Sequence, residues 1–233
     1  MTIVGPPPDP TASPGMTMTR AEILLRARSR HDLSRLPMFA VILLLCGELT
    51  PFIVLAFPHL TPLTCRIPGQ VEALRRAAAD RRAASFRALA HRRQASLPPA
   101  APGQEGKSGG TEETAAAAAG HVARSLGLTS VWWDRVGVEG GGPFARSAAD
   151  RAVAALARDD AMIRAGGGVA AIEDPEVVLA CDDRGVDVRG KDVAMLRRRL
   201  EEWVAESGRA PAGDEEAQRA RVRALLLRPE MSV

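Results

Sequence analysis

The chain has 233 residues, a formal charge of +3 and a pI near 9.1, and only 3% of its residues are aromatic, with no tyrosine. That scarcity excludes the ring-rich platforms on which single-stranded nucleic acids stack. Three cysteines, Cys46, Cys65 and Cys181, form no C-x-x-C pair and no His pairing, which argues against a disulfide framework or a zinc site and fits a reducing compartment. High Ala, Arg and Leu with few β-branched runs predicts an all-α protein.

Residues 1–19 are rich in Pro, Gly, Ser and Thr and are expected to be disordered. They show no basic and apolar signal regions, and no arginine before Arg20. Residues 20–35 form a basic segment with Arg26, Arg28, Arg30 and Arg35, whose side chains either snorkel to anionic head groups or make a solvated face. The run from Leu36 to Phe57 contains one ionisable group, Glu48. At about 1.5 Å per residue it reaches roughly 30 Å, the thickness of a bilayer core, and it reads as one transmembrane helix. A carboxylate inside a span is costly, so Glu48 is either an ion or proton site or a protonated, hydrogen-bonded group that locks assembly. Pro51 leaves the carbonyl of Gly47 without its usual partner and predicts a kink there. Gly47 and Thr50 let a second helix approach closely, so a homo-oligomer through the span is expected.

After the Pro-rich exit, residues 58–96 include a helix from about Gly69 to Ser96 with a partial apolar stripe of Val71, Leu74, Ala78, Phe86 and Leu89. Seven arginines occupy its other faces, against Glu72 and Asp80. Such a helix lies on an anionic membrane, meets RNA phosphate, or is simply exposed. Arginines flank both ends of the apolar run, so charge does not set orientation. Residues 97–111 read as a flexible linker.

Residues 112–207 read as a small helical bundle. A helix with His121, Val122, Leu126 and Leu128 breaks at Gly127, and Trp132 and Trp133 sit in a short turn or helix. Phe144 to Arg164 carries Ala149, Val153, Leu156 and Ile163 on one face. Asp174 caps a helix with Pro175 in its first turn, and Gly185 ends it. Val193, Leu196, Leu200, Trp203 and Val204 form the stripe of the next helix. Residues 208–233 form a polar tail with a short helix, Glu215 to Arg228.

Two blocks resemble the LETM family of mitochondrial inner-membrane proteins. In the apolar run the resemblance rests on Pro37, Phe39, Glu48, Pro51, Phe57, Pro58 and Pro62, with His59 and Thr61 departing from the family pattern. In the bundle it rests on Ala123, Arg124, Leu126, Gly127 and Leu128, then Asp159, Asp160 and Ile163, then Ala180, Cys181, Arg184 and Gly185, and finally Leu196, Leu200 and Trp203. The resemblance implies a single-pass protein of the mitochondrial inner membrane, its domain in the matrix and bound to the mitochondrial ribosome, supporting membrane protein insertion and cation homeostasis. Targeting there needs an internal signal or an earlier start. Arg184, Arg197, Arg198 and Arg199 are the candidate ribosomal or phosphate contacts, with inner-membrane anionic lipids as further partners and DNA excluded. The alternative that the resemblance implies is an oligomeric potassium/proton or calcium/proton exchange component using Glu48; a bare membrane tether is a third reading.

The glycine triplets follow no strand and match no phosphate loop. Asp182, Asp183 and Asp187 lack the spacing of a calcium loop. Asp159 and Asp160 read as capping or packing acids rather than a catalytic pair. No nucleophile–base constellation is visible, so no enzyme, metal or cofactor is expected.

Overall fold

A computed structural model of the chain describes residues 20–26, 68–95, 109–136, 141–211 and 213–231, together with positions 29, 33, 37, 40, 41 and 44. Residues Met1–Thr64 and Cys65–Val233 form separate units. In the first, residues 20–26 are helical. The expected span is described only at Pro37, Ala40, Val41 and Leu44, so Gly47, Glu48 and Pro51 lie outside the described residues.

The second unit is helical, with no strand among the described residues. Its elements are α1 (Pro68–Ala95), α2 (Gly109–Ser125), α3 (Val131–Arg135), α4 (Ala145–Ala165), a 3-10 turn at Val169–Ala171, α5 (Asp174–Asp183), α6 (Val193–Ser207), α7 (Glu215–Leu226) and a closing 3-10 turn at Pro229–Met231. Helix α2 starts at Gly109, so two glycines expected in the linker are already helical. The alanine run behind them carries that helix, each alanine losing no side-chain entropy in it.

Helix α4 is the central element, packed against α2, α6 and α7, while α1 lies on α2 and α5 on α6. The predicted α4 stripe is buried at Ala149, Val153, Leu156 and Ile163. It meets Val122 and Ala123 of α2, Leu196, Leu200, Trp203 and Val204 of α6, and Val222, Leu225 and Leu226 of α7 in one core. Local chemistry ends the helices where the sequence suggests. Gly127 (φ 66°) and Gly185 (φ 75°) each occupy the left-handed position of a Schellman turn. The next amides close those turns, Leu128 donating to the carbonyl of Ala123 at 2.8 Å and Val186 to that of Cys181 at 3.0 Å. Asp174 is inside α5 rather than its cap, which is Glu173 without a side-chain bond. Asp214 caps α7 by accepting from the amide of Ala217 at 2.9 Å.

No helix among the described residues is long and apolar enough to cross a membrane. This overturns the expected single-pass membrane location. Among the described residues the longest helix, α1, carries seven arginines and two acids in 28 residues. Charges at that density are prohibitive in hydrocarbon.

Candidate functional site

Helix α1 forms because Ala and Arg dominate it and no glycine or proline follows Gly69. Its seven arginines divide by face. Arg75 donates from Nε to Asp182 Oδ2 on α5 at 3.1 Å. Arg81 is bonded through Nε to Asp134 on α3 and donates from Nη1 to the carbonyl of Thr129 at 2.8 Å. Asp134 also accepts from Arg124 of α2 at 2.9 Å. Arg76 and Arg87 face solvent. The arginine-rich face expected to meet a membrane or RNA is thus partly the face that docks α1 on its own bundle.

Arg82 stands apart from these. It fills the gap in the apolar stripe between Ala78 and Phe86, and it is only 7% exposed. Its Nε donates to the carbonyl of Ser125 at 3.2 Å, satisfying one orphan acceptor in the last turn of α2. The guanidinium lies over Gly185, where a Cβ would come within 3.2 Å of Nε, so the absent side chain makes room for it. Among the described residues neither terminal nitrogen of Arg82 has a hydrogen bond or an ion pair. Burial pushes its pKa down; Asp182 and Asp187 oppose this, and Arg189 adds to it. Those two carboxylates are themselves engaged, Asp182 by Arg75 and Asp187 by a two-bond fork from Arg189 at 2.9 and 3.0 Å.

Arg82 forms part of the wall of a cleft of about 550 Å³ between α1 and residues 187–191. Arg87, Arg189 and Lys191 add positive charge to it, Asp80 and Asp187 negative charge, and Ala79, Ala83, Phe86 and Pro229 apolar surface. The balance is positive. A neutral acceptor meets the Arg82 donors without balancing the charge; an oxyanion does both, with charge-assisted bonds about twice as strong.

Across the bundle the sequence candidates play other parts. Arg184 is 2% exposed and donates to Asp159 at 2.7 Å, to Asp160 through both Nε and Nη2, and to the carbonyl of Ala180 at 2.9 Å. The second oxygen of Asp160 accepts from the indole of Trp203 at 3.1 Å. Burial works against the charge of Arg184, but Asp160 and Asp159 outweigh it and hold the guanidinium above its usual range. Arg184 therefore ties α4, the end of α5 and α6 together and is out of reach of phosphate, which corrects its assignment as a contact. Asp159 and Asp160 are packing acids. Arg197 staples the 3-10 turn, donating to the carbonyls of Val169 at 2.6 Å and Ile172 at 2.9 Å and to Asp174 at 2.7 Å. Arg199 pairs with Glu202 at 3.1 Å, and Arg198 is exposed.

A hydroxyl–imidazole contact escaped the sequence reading because Ser85 and His121 lie 36 positions apart. His121 is buried, with Nε2 at 3.3 Å from the carbonyl of Leu226 and Nδ1 at 2.9 Å from Ser85 Oγ. A carbonyl only accepts, so Nε2 carries the proton and, in the neutral ring, Nδ1 accepts from the serine. Phe86 covers the ring at a centroid distance of 4.2 Å. The adjoining cavity, about 20 Å³, has room for a single water. The pair pins α1 to α2 and to the end of α7.

Residues 9–98 match the family described as the pentamidine resistance factor domain, PNT1. The match takes in the apolar run and α1 and ends before α2. No curated protein and no solved structure matches the chain. The matched family differs from LETM, and no LETM domain is detected. This overturns the LETM resemblance and, with it, the ribosome-binding and ion-exchange functions and the mitochondrial inner-membrane location that it implied. The bundle half of that resemblance has a packing explanation: Asp159, Asp160, Arg184 and Trp203 are the members of one buried polar network.

Proposed function

We propose that the helical unit is a non-catalytic binding module whose cleft between α1 and residues 187–191 receives an oxyanion, phosphate or carboxylate, on the terminal nitrogens of Arg82. One observation carries this reading: Arg82, buried and with only its Nε engaged among the described residues, lines a cleft. Buried polar groups are as a rule satisfied, and a charged one left open is costly unless a ligand completes it. Arg87 and Lys191 stand at the same cleft and would add to the attraction. The non-catalytic part of the proposal is supported by the engagement of Asp159 and Asp160 with Arg184 and of His121 with Leu226.

The test is calorimetric titration of the full-length chain with inorganic phosphate. Binding that weakens as salt rises, and that the Arg82→Met and Lys191→Ala variants lose or weaken, is the expected result. Lys191 lies at the cleft, outside the core, and keeps the test informative should Arg82→Met perturb packing. Absence of phosphate binding, or binding unchanged in both variants, overturns the proposal.

A further inference from the structure

We infer that the ligand of this cleft is an amphiphile, an oxyanion carried on an apolar chain, and that the wall formed by Phe86, Ala79, Ala83 and Pro229 holds the chain. The inference rests on the oxyanion reading and adds the class of molecule. At about 550 Å³ the cleft has far more room than a phosphate group occupies, and it lies within the usual range of small-molecule sites. A site for free phosphate closes polar groups around all sides of the anion. Here the cationic groups are joined by three aliphatic side chains and the Phe86 ring. The ring is braced from behind by His121, so it stands as a fixed wall. Phe86 is half-buried, and Ala83 is exposed on α1. The cleft thus combines an apolar wall that can hold a chain with charged groups that can fix the orientation of a head group.

Two sources supply such a molecule: a soluble alkyl phosphate or fatty carboxylate, or the head group and upper chain of an anionic lipid in a bilayer. The experiment titrates the full-length chain with methyl, butyl and octyl phosphate below their aggregation limits. The inference expects affinity to climb with chain length, by about fourfold for each methylene that the wall buries. Phe86→Ala should flatten that climb. Ala83→Asn, at an exposed position where folding is not at stake, should flatten it in part. Equal affinity across the series overturns the amphiphile while leaving the oxyanion site standing. A climb that persists unchanged in both variants places the chain elsewhere and also overturns the inference. Failure of every phosphate to bind removes the oxyanion reading itself. Vesicles of phosphatidylcholine with and without phosphatidic acid separate the sources. Acid-dependent vesicle binding displaced by octyl phosphate supports the lipid source, and octyl phosphate binding without vesicle binding supports the soluble one.

Discussion

Two arginines among the described residues of this unit are buried, and they are handled in opposite ways. Arg184 sits among two carboxylates and a carbonyl, with Trp203 completing the nearer acid, and its charge is favoured. Arg82 has one carbonyl on Nε, its nearby carboxylates are bonded to Arg75 and Arg189, and burial disfavours its charge. The first cation is part of the scaffold. The second has terminal nitrogens that no group among the described residues satisfies, which is what the proposed ligand would do. Burial alone does not distinguish structure from site; the count of satisfied donors does.

The contrast can be broken from either side. Asp160→Ala strips Arg184 of its main counter-charge and orphans the Trp203 indole, and should cost about 3–5 kcal/mol in denaturant unfolding, the range for breaking a buried pair. A loss below about 1 kcal/mol would place Arg184 in the same class as Arg82. A smaller effect concerns Cys181, one turn before Arg184. Burial raises its thiol from about 9 to about 11, against the pull of Arg184. The native state therefore keeps a proton that the unfolded chain gives up above pH 9, so stability should decline between pH 9 and 11. Cys181→Ala should flatten that decline, and an unchanged slope would show that the thiol is not the titrating group. The smallest effect is expected at Arg82. Arg82→Met exchanges a singly bonded buried charge for an apolar chain of similar length and should leave unfolding within about 1 kcal/mol of the parent, of either sign. A loss above about 3 kcal/mol would mean that Arg82 belongs to the scaffold after all.

The helices and their stops were legible because they are local. The α4 and α6 stripes follow a 3.6-residue period, and Gly127 and Gly185 stop their helices by backbone conformation alone. Asp159 and Asp160 were read as packing acids for want of any nucleophile, and the structure supplies their partner. The roles of Arg75, Arg81 and Arg184 were not legible because a sequence displays charge without its counter-charge. Asp182, the partner of Arg75, lies 107 positions further on. Arg184 looked like a free cation for the same reason. The signal that could have found Arg82 was present: it occupies the empty place in the stripe of Val71, Leu74, Ala78, Phe86 and Leu89, where a core residue belongs. The resemblance failed for a related reason. A spacing of acids, arginine and tryptophan that suits one buried network carries no information about family.

The docking of α1 through Arg75 and Arg81 bears on how the chain is made. A domain built from its N-terminus onward exposes early segments before their partners exist. Helix α1 precedes α3 and α5, which hold Asp134 and Asp182. A helix docking by Leu and Phe alone would spend that interval as an adhesive surface. The arginines beside the Leu74, Phe86 and Leu89 stripe keep much of α1 hydrated through that interval, and carboxylates at the right spacing then join the apolar contacts in closing it.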